Sequence, residues 1–394
     1  MAAAVLRNRA SSRTRFERNL LWTTFALVAV GIVSVLDTSF VQEVARGQRG
    51  GSGYHLLLRQ CLFAGLGILL IWAVRRLPTE TLRRWSRPLF YATIAMLVAC
   101  FLPFISVPMS GVRRWIGADP IVIQPSEIAK ITLVIYLAAK LAALERLKRD
   151  AKGATRRRQQ SAAEIRPLFL AVAGTCLLVE VEPDLGTALV IGFTAFCLLC
   201  LGGVKQRYMT AFALCGAAVV MFTAFNPWRH SYRGGRIQEW VQMHSKQPDI
   251  HTQTYGGMRA VGAGGITGAG FGQGREKYSL PAVHTDYIFA TIGEEGGLLV
   301  SLLVVGLLWG LTMQALRVAG ACENRFASLT AAGIGITIGS QALLNIGVVT
   351  GLLPNTGVPL PFISYGGSSL VFLLVGVGIL LNIAREVDHA SVQP

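Results

Sequence analysis

Leu20-Leu21-Trp22-Thr23-Thr24-Phe25-Ala26-Leu27-Val28-Ala29-Val30-Gly31-Ile32-Val33-Ser34-Val35-Leu36 carries no charge until Asp37, and Arg7, Arg9, Arg13, Arg15 and Arg18 precede it. A run of about 20 apolar residues is long enough to cross a hydrocarbon core of ~30 Å. The basic flank and the absence of a small-residue cleavage site mark a retained signal anchor, with the N-terminus expected in the cytoplasm.

Nine further runs of this kind follow, near 55–74, 87–106, 125–144, 167–182, 186–203, 208–225, 294–316, 327–350 and 362–383. Over 394 residues, 52% are hydrophobic and only 15% charged, which excludes a soluble chain. The expected fold class is an all-α polytopic membrane protein, a bundle of about ten transmembrane helices with a long extracytoplasmic loop between spans 7 and 8. The net charge of +16 sits in short clusters between apolar runs, which is positive-inside bias and excludes a nucleic-acid surface. Arg75, Arg76, Arg83 and Arg84 then fall in the first inner loop, and Lys205, Arg207, Arg317 and Arg325 in later ones. These clusters also suit the headgroups of membrane lipids. The organisation expected is a basic cytoplasmic tail over 1–19, a membrane domain over 20–384, and a cytoplasmic tail over 385–394. Within it lie a basic inner loop at 145–166 and a large outer loop at 226–292. The seven cysteines lie almost wholly in apolar runs, so no disulfide framework is implied.

Parity places four polar clusters on the outer side, where irregular backbone at membrane depth must be covered by protein or line a cavity. The first, Gly111-Val112-Arg113-Arg114-Trp115, reads either as an aromatic belt with two snorkelling cations or as a clamp for phosphate, which guanidinium forks match. The second, Glu182-Pro183-Asp184, turns a hairpin of spans, with Asp184 as a cap for the next helix. The third is the long loop, where Asp286 stands at the return into an apolar segment; its interleaved aromatics, Trp228, Tyr232, Trp240, Tyr255, Phe271 and Tyr278, suit short amphipathic helices anchored on the bundle. The fourth runs from Pro354 through Pro359, Pro361, Ser364, Tyr365, Gly366, Gly367 and Ser368 to Ser369, a broken approach to the last span. Gln124-Pro125-Ser126-Glu127 reads as a helix start, with Lys130 placed to pair with Glu127 inside the membrane. The glycines from Gly262 to Gly274 are not a P-loop, because no Gly-Lys-Ser or Gly-Lys-Thr follows.

Together, Gly111 to Trp115, Gln124 to Lys130, Glu182 to Ala188, Tyr232-Arg233 with Arg236, His284 to Glu295 and Asn345-Ile346-Gly347 to Ser369 resemble the SEDS family (shape, elongation, division and sporulation proteins) over nearly the whole membrane region. That resemblance implies a cell-wall glycosyltransferase that polymerises lipid II on the outer face of a bacterial cytoplasmic membrane, with Asp286 as its catalytic carboxylate. It implies pyrophosphate or substrate contacts from Arg113, Arg114, Arg233, Arg236, His284, Thr285, Ser364 and Tyr365. The cavity would be framed by Gln124, Glu127, Lys130, Glu182, Asp184, Pro359, Pro361, Gly366, Gly367 and Ser368. The implied partner is a class B penicillin-binding protein, FtsI-like for a division member, alongside other division proteins. No cofactor follows from these motifs and no metal site is assigned; a divalent cation is the one candidate. Leu353 to Gly357 and Pro361 to Ser364 look more like the division branch than the elongation branch. The chain departs from the family pattern at Gly256, Arg259 and Ala282, where glutamines and a glutamate are usual. Lipid II flipping and non-catalytic scaffolding are the rival readings.

Overall fold

The computed structural model describes residues 2–45, 54–109, 112–118, 121–150, 154–225, 233–244 and 252–390. Its helices are α1 (Ala2–Ala45), α2 (Tyr54–Val74), α3 (Thr79–Ala99), α4 (Pro125–Asp150), α5 (Ala154–Val181), α6 (Leu185–Leu201), α7 (Gln206–Phe225), α8 (Arg233–Met243), α9 (Gln253–Ala263), α10 (Ile288–Ala321), α11 (Arg325–Val349) and α12 (Gly367–Ala390). All but α8 and α9 correspond one to one with the ten apolar runs. Five segments, Phe16–Ser39, Tyr54–Val74, Ile288–Ala321, Arg325–Val349 and Gly367–Val387, are long and apolar enough to cross a membrane. The protein is thus an all-α, multi-pass membrane bundle. Its centre is α11, which packs against α10, α4 and α6.

Among the described residues are three strands not anticipated from the sequence, β1 (Ser106–Met109), β2 (Val112–Ala118) and β3 (Ile121–Ile123), an antiparallel sheet in the order β1-β2-β3. Ser106 pairs with Ile116, and Ile116 with Ile123. Val107, Val112, Trp115, Ile116 and Val122 are strand formers, and Pro108 sits on an edge strand at a register irregularity, where a missing N–H is tolerated.

Three boundaries also differ from expectation. Helix occupies 145–150 and 154–166, so the basic loop read over 145–166 narrows to the residues between α4 and α5. α3 begins at Thr79 rather than near 87, taking Arg83 and Arg84 into its first turns, where both meet Glu80. α10 begins at Ile288 rather than near 294 and is broken at Gly297, whose φ of 65° and ψ of −164° are non-helical.

The break is filled by the glycine-rich run. Leu298 and Leu299 donate their amides to the carbonyls of Gly265 and Ile266, while Ala269 and Gly270 donate to the carbonyls of Glu294 and Glu295. The side chain of Glu294 accepts from the amides of Arg275 (2.7 Å) and Glu276 (3.2 Å), and that of Glu295 from Gly272 (3.0 Å) and Gly274 (3.1 Å). A broken helix frees backbone groups that must be matched inside the protein, and here loop and helix match each other.

Candidate active site

Four elements bring charge to one end of the bundle. Asp286 stands two residues ahead of α10, half-buried. Arg236 reaches it from α8, Asp184 from the start of α6, and Arg114 from β2, each close enough to bias its titration. The Asp286 carboxyl is pushed up to about 6, chiefly by burial; Arg236 opposes that, Asp184 adds to it, and Arg114 with the Thr285 hydroxyl opposes it. At Gly357 the backbone has φ 70°, and a methyl group there would lie 3.4 Å from Arg236 Nη1 and 3.5 Å from Asp286 Oδ2. Arg236 Nη1 also donates to the Asn355 carbonyl at 3.3 Å.

Asp184 caps α6, its Oδ1 accepting from the Thr187 amide at 3.1 Å, as the sequence indicated. Its second oxygen accepts from Gln124 Nε2 at 3.0 Å, which ties the start of α4 to the start of α6. Arg114 Nη2 donates to the Pro183 carbonyl at 2.7 Å. Glu182 beside it is sealed from solvent, and burial followed by the Asp184 charge pushes its carboxyl up to about 8, with Cys100 and Arg114 opposing. Arg113 is exposed, because neighbouring residues on a strand point to opposite faces. Of the two arginines expected to act as one clamp, only Arg114 is turned into this cluster. Arg233 opens α8, but its side chain lies outside those described, as do Trp228 and Tyr232 altogether. Trp240 does anchor the long loop, donating from Nε1 to the Gly351 carbonyl at 2.9 Å.

The broken approach to α12 folds over the turn that carries Asp286. Ser364 Oγ donates to the Thr285 carbonyl at 2.6 Å and accepts from the Leu360 amide at 2.8 Å. The Tyr365 amide donates to the His284 carbonyl at 2.9 Å, and the two rings lie 5.7 Å apart. Thr285 Oγ1 donates back to the Ala282 carbonyl at 3.1 Å. These four residues therefore hold the backbone in shape around the carboxylate. Pro361 lies in the turn at the end of the irregular stretch, and the Gly366 carbonyl accepts from the Leu370 amide. α12 starts at Gly367, where a side chain would collide with Phe63 of α2. Ser368 accepts from the Gln124 amide at 3.4 Å.

Deeper in the bundle, Glu127 and Lys130 close the expected ion pair at 2.8 Å, both buried. Two residues to which no role was given from the sequence connect this pair to the site. Gln341 and Asn345 are buried amides of α11; Asn345 opens one of the motifs that carry the family resemblance, while for Gln341 polarity inside a core helix was the available signal. Among the described residues no group of three or more His, Cys, Asp or Glu comes together as metal ligands.

A carboxylate raised by burial and acted on by the charges of two arginines suits abstraction of a proton next to a developing anion. Residues 18–389 match the cell cycle protein family of FtsW, RodA and SpoVE. A probable peptidoglycan glycosyltransferase FtsW of Geobacter sulfurreducens is 32% identical over 378 residues, covering 95% of this chain and 97% of that protein. Stage V sporulation protein E of Bacillus subtilis is 33% identical, covering 93% and 96%. Among solved structures, a chain of a peptidoglycan synthase complex that coordinates polymerization and crosslinking superposes with a TM-score of 0.71 at 28% identity, covering 95% and 98%. The rod shape determining protein RodA of Thermus thermophilus superposes with a TM-score of 0.66 at 25% identity, covering 93% and 96%.

Proposed function

The chain belongs to the cell cycle protein family of FtsW, RodA and SpoVE, and on that premise we propose that it is a peptidoglycan glycosyltransferase that polymerises lipid II into β-1,4 glycan during cell division. The observation that carries the reading is Asp286 with the charges of Arg236 and Arg114 acting on it, Arg236 Nη1 and Asp286 Oδ2 both lying beside Gly357. In the reaction, Asp286 takes the proton of an acceptor sugar hydroxyl as its oxygen attacks the anomeric carbon of the donor. The bond from that carbon to the pyrophosphate oxygen breaks, and its electron pair leaves on the pyrophosphate. Arg236 and Arg114 receive that charge, with the exposed Arg113 adding positive potential. A base of this kind contributes roughly 10²–10⁴-fold.

The site faces the outer side of the cytoplasmic membrane, with both termini inside. The supporting pattern is that Arg75, Lys205 and Arg325 cluster at the bundle end opposite Asp286, as cytoplasmic loops do. A class B penicillin-binding protein is the partner, supported by the likeness to a chain of a peptidoglycan synthase complex.

The test incubates purified protein, with and without its cognate penicillin-binding protein, with lipid II and measures moenomycin-resistant polymer. Polymer from the native protein that disappears in Asp286→Asn is the expected result. Folded native protein that makes none under either condition moves the assignment to lipid transport or scaffolding, and normal polymer from Asp286→Asn removes the base role.

A further inference from the structure

Residues 354–360, between α11 and α12, have no regular structure, so carbonyls there need partners from outside a helix or sheet ladder. Gln341 and Asn345, one turn apart on α11, supply two of them. Gln341 Nε2 donates to the Pro359 carbonyl at 2.9 Å. Asn345 Nδ2 donates to the Val358 carbonyl and to the Asp286 carbonyl, each at 2.8 Å. One amide nitrogen thereby joins the irregular stretch to the turn that bears the carboxylate.

The orientation of Gln341 is set from its other side. Lys130 Nζ donates to Gln341 Oε1 at 2.6 Å while held by Glu127 at 2.8 Å. An ammonium group has donors and no acceptor. Gln341 must therefore turn its oxygen to Lys130 and its NH₂ to Pro359, since the flipped amide would set donor against donor at Lys130 and acceptor against acceptor at Pro359. Charge on α4 thus fixes a hydrogen-bond direction on α11, which fixes the Pro359 carbonyl.

We propose that Lys130, Gln341 and Asn345 form a positioning relay that holds the Asp286 turn and the 357–360 backbone in register, so that Asp286 keeps its distance from Arg236. None of the three touches substrate; they act through Asp286, and the proposal rests on the reading of Asp286 as the base. The charged groups that face Asp286 are Arg236 from α8, Asp184 ahead of α6 and Arg114 from β2. Loss of the relay lets the carboxylate drift from Arg236, which weakens the attraction that favours its charged form.

The test compares Asn345→Leu, Gln341→Met and the near-isosteric Gln341→Glu, whose carboxylate still meets Lys130 but offers no donor to Pro359. Expected is a fall in kcat of roughly 10- to 100-fold with KM held within about twofold, and an acid limb of the kcat–pH profile displaced to higher pH. A variant that merely folded less well would lose active protein without moving the limb. Full kcat in Gln341→Glu, or an unmoved limb in Asn345→Leu, overturns the relay. Hydrogen–deuterium exchange supplies a readout independent of activity: in Gln341→Met and Asn345→Leu, peptides covering 354–366 and 284–287 should exchange faster while those of α6 stay unchanged. Unchanged exchange in those peptides overturns the relay even if the native protein makes no polymer. Normal polymer from Asp286→Asn alongside faster exchange in these variants would refute the base while leaving the mechanical link standing.

Discussion

Lys277 Nζ lies 2.6 Å from Asp37 Oδ1, a contact that fastens the long loop between α7 and α10 to the last turns of the membrane-spanning part of α1. The same ammonium meets Glu295 Oε1 at 2.6 Å, and all three side chains are almost fully buried. Removing one member of a buried ionic group leaves uncompensated charge. Lys277→Met should therefore destabilise the protein by about 3–5 kcal/mol, measured as unfolding in detergent. Arg259→Met, which breaks the exposed pair with Glu276, should leave the midpoint almost unchanged.

The pH dependence of turnover should carry the signature of Asp286. A base works ionised, so kcat should fall as pH drops through about 6. Arg236→Met removes a charge that favours the ionised form and should move that limb to higher pH. Asp184→Asn removes a charge that opposes it and should move the limb lower. Displacements of the same sign in both variants would exclude Asp286 as the titrating group.

Glu182 should affect stability rather than the rate limb. Its folded pKa, about 8, lies above the ordinary glutamate value, so the folded protein holds this proton more tightly than the unfolded chain. Stability from this group is complete below the unfolded pKa and is lost as pH rises towards about 8. Glu182→Gln, which cannot ionise, should gain thermal stability over the native protein progressively from about pH 4.5 to about pH 8 and level off beyond. A constant difference across that range would refute the assignment.

Gly357 and Gly272 separate backbone strain from crowding. Both have positive φ, 70° and 77°, but a methyl on Gly272 meets open space while one on Gly357 abuts Arg236 and Asp286. Each alanine substitution should cost roughly 1–2 kcal/mol from the left-handed backbone. Only Gly357→Ala should also lower kcat, by roughly tenfold or more, in the lipid II polymerisation assay.

The ten helices were legible because lipid imposes one pattern, a long apolar run, that needs no knowledge of the partner. Local pairings were legible for a similar reason: Asp184 with Thr187, and Glu127 with Lys130, are three residues apart. What escaped depends on contacts remote in sequence. Asn345 lies 59 residues from Asp286, and Gln341 lies 211 from Lys130. The difference between Arg113 and Arg114 is a strand's alternation, invisible without the short sheet that creates it. Gly297 looked like any helical glycine, since its break is defined by a loop more than 20 residues earlier.

That break also limits how the protein can be recombined. Residues 265–276 and 294–299 exchange hydrogen bonds in both directions, so neither stretch has its polar groups matched without the other. A chimera joined at the start of α10 would graft one half of this clasp onto a foreign counterpart, whereas a cassette spanning 262–299 would carry both halves together. Inheritance and engineering alike should therefore treat the glycine-rich loop and the first third of α10 as a single exchangeable unit.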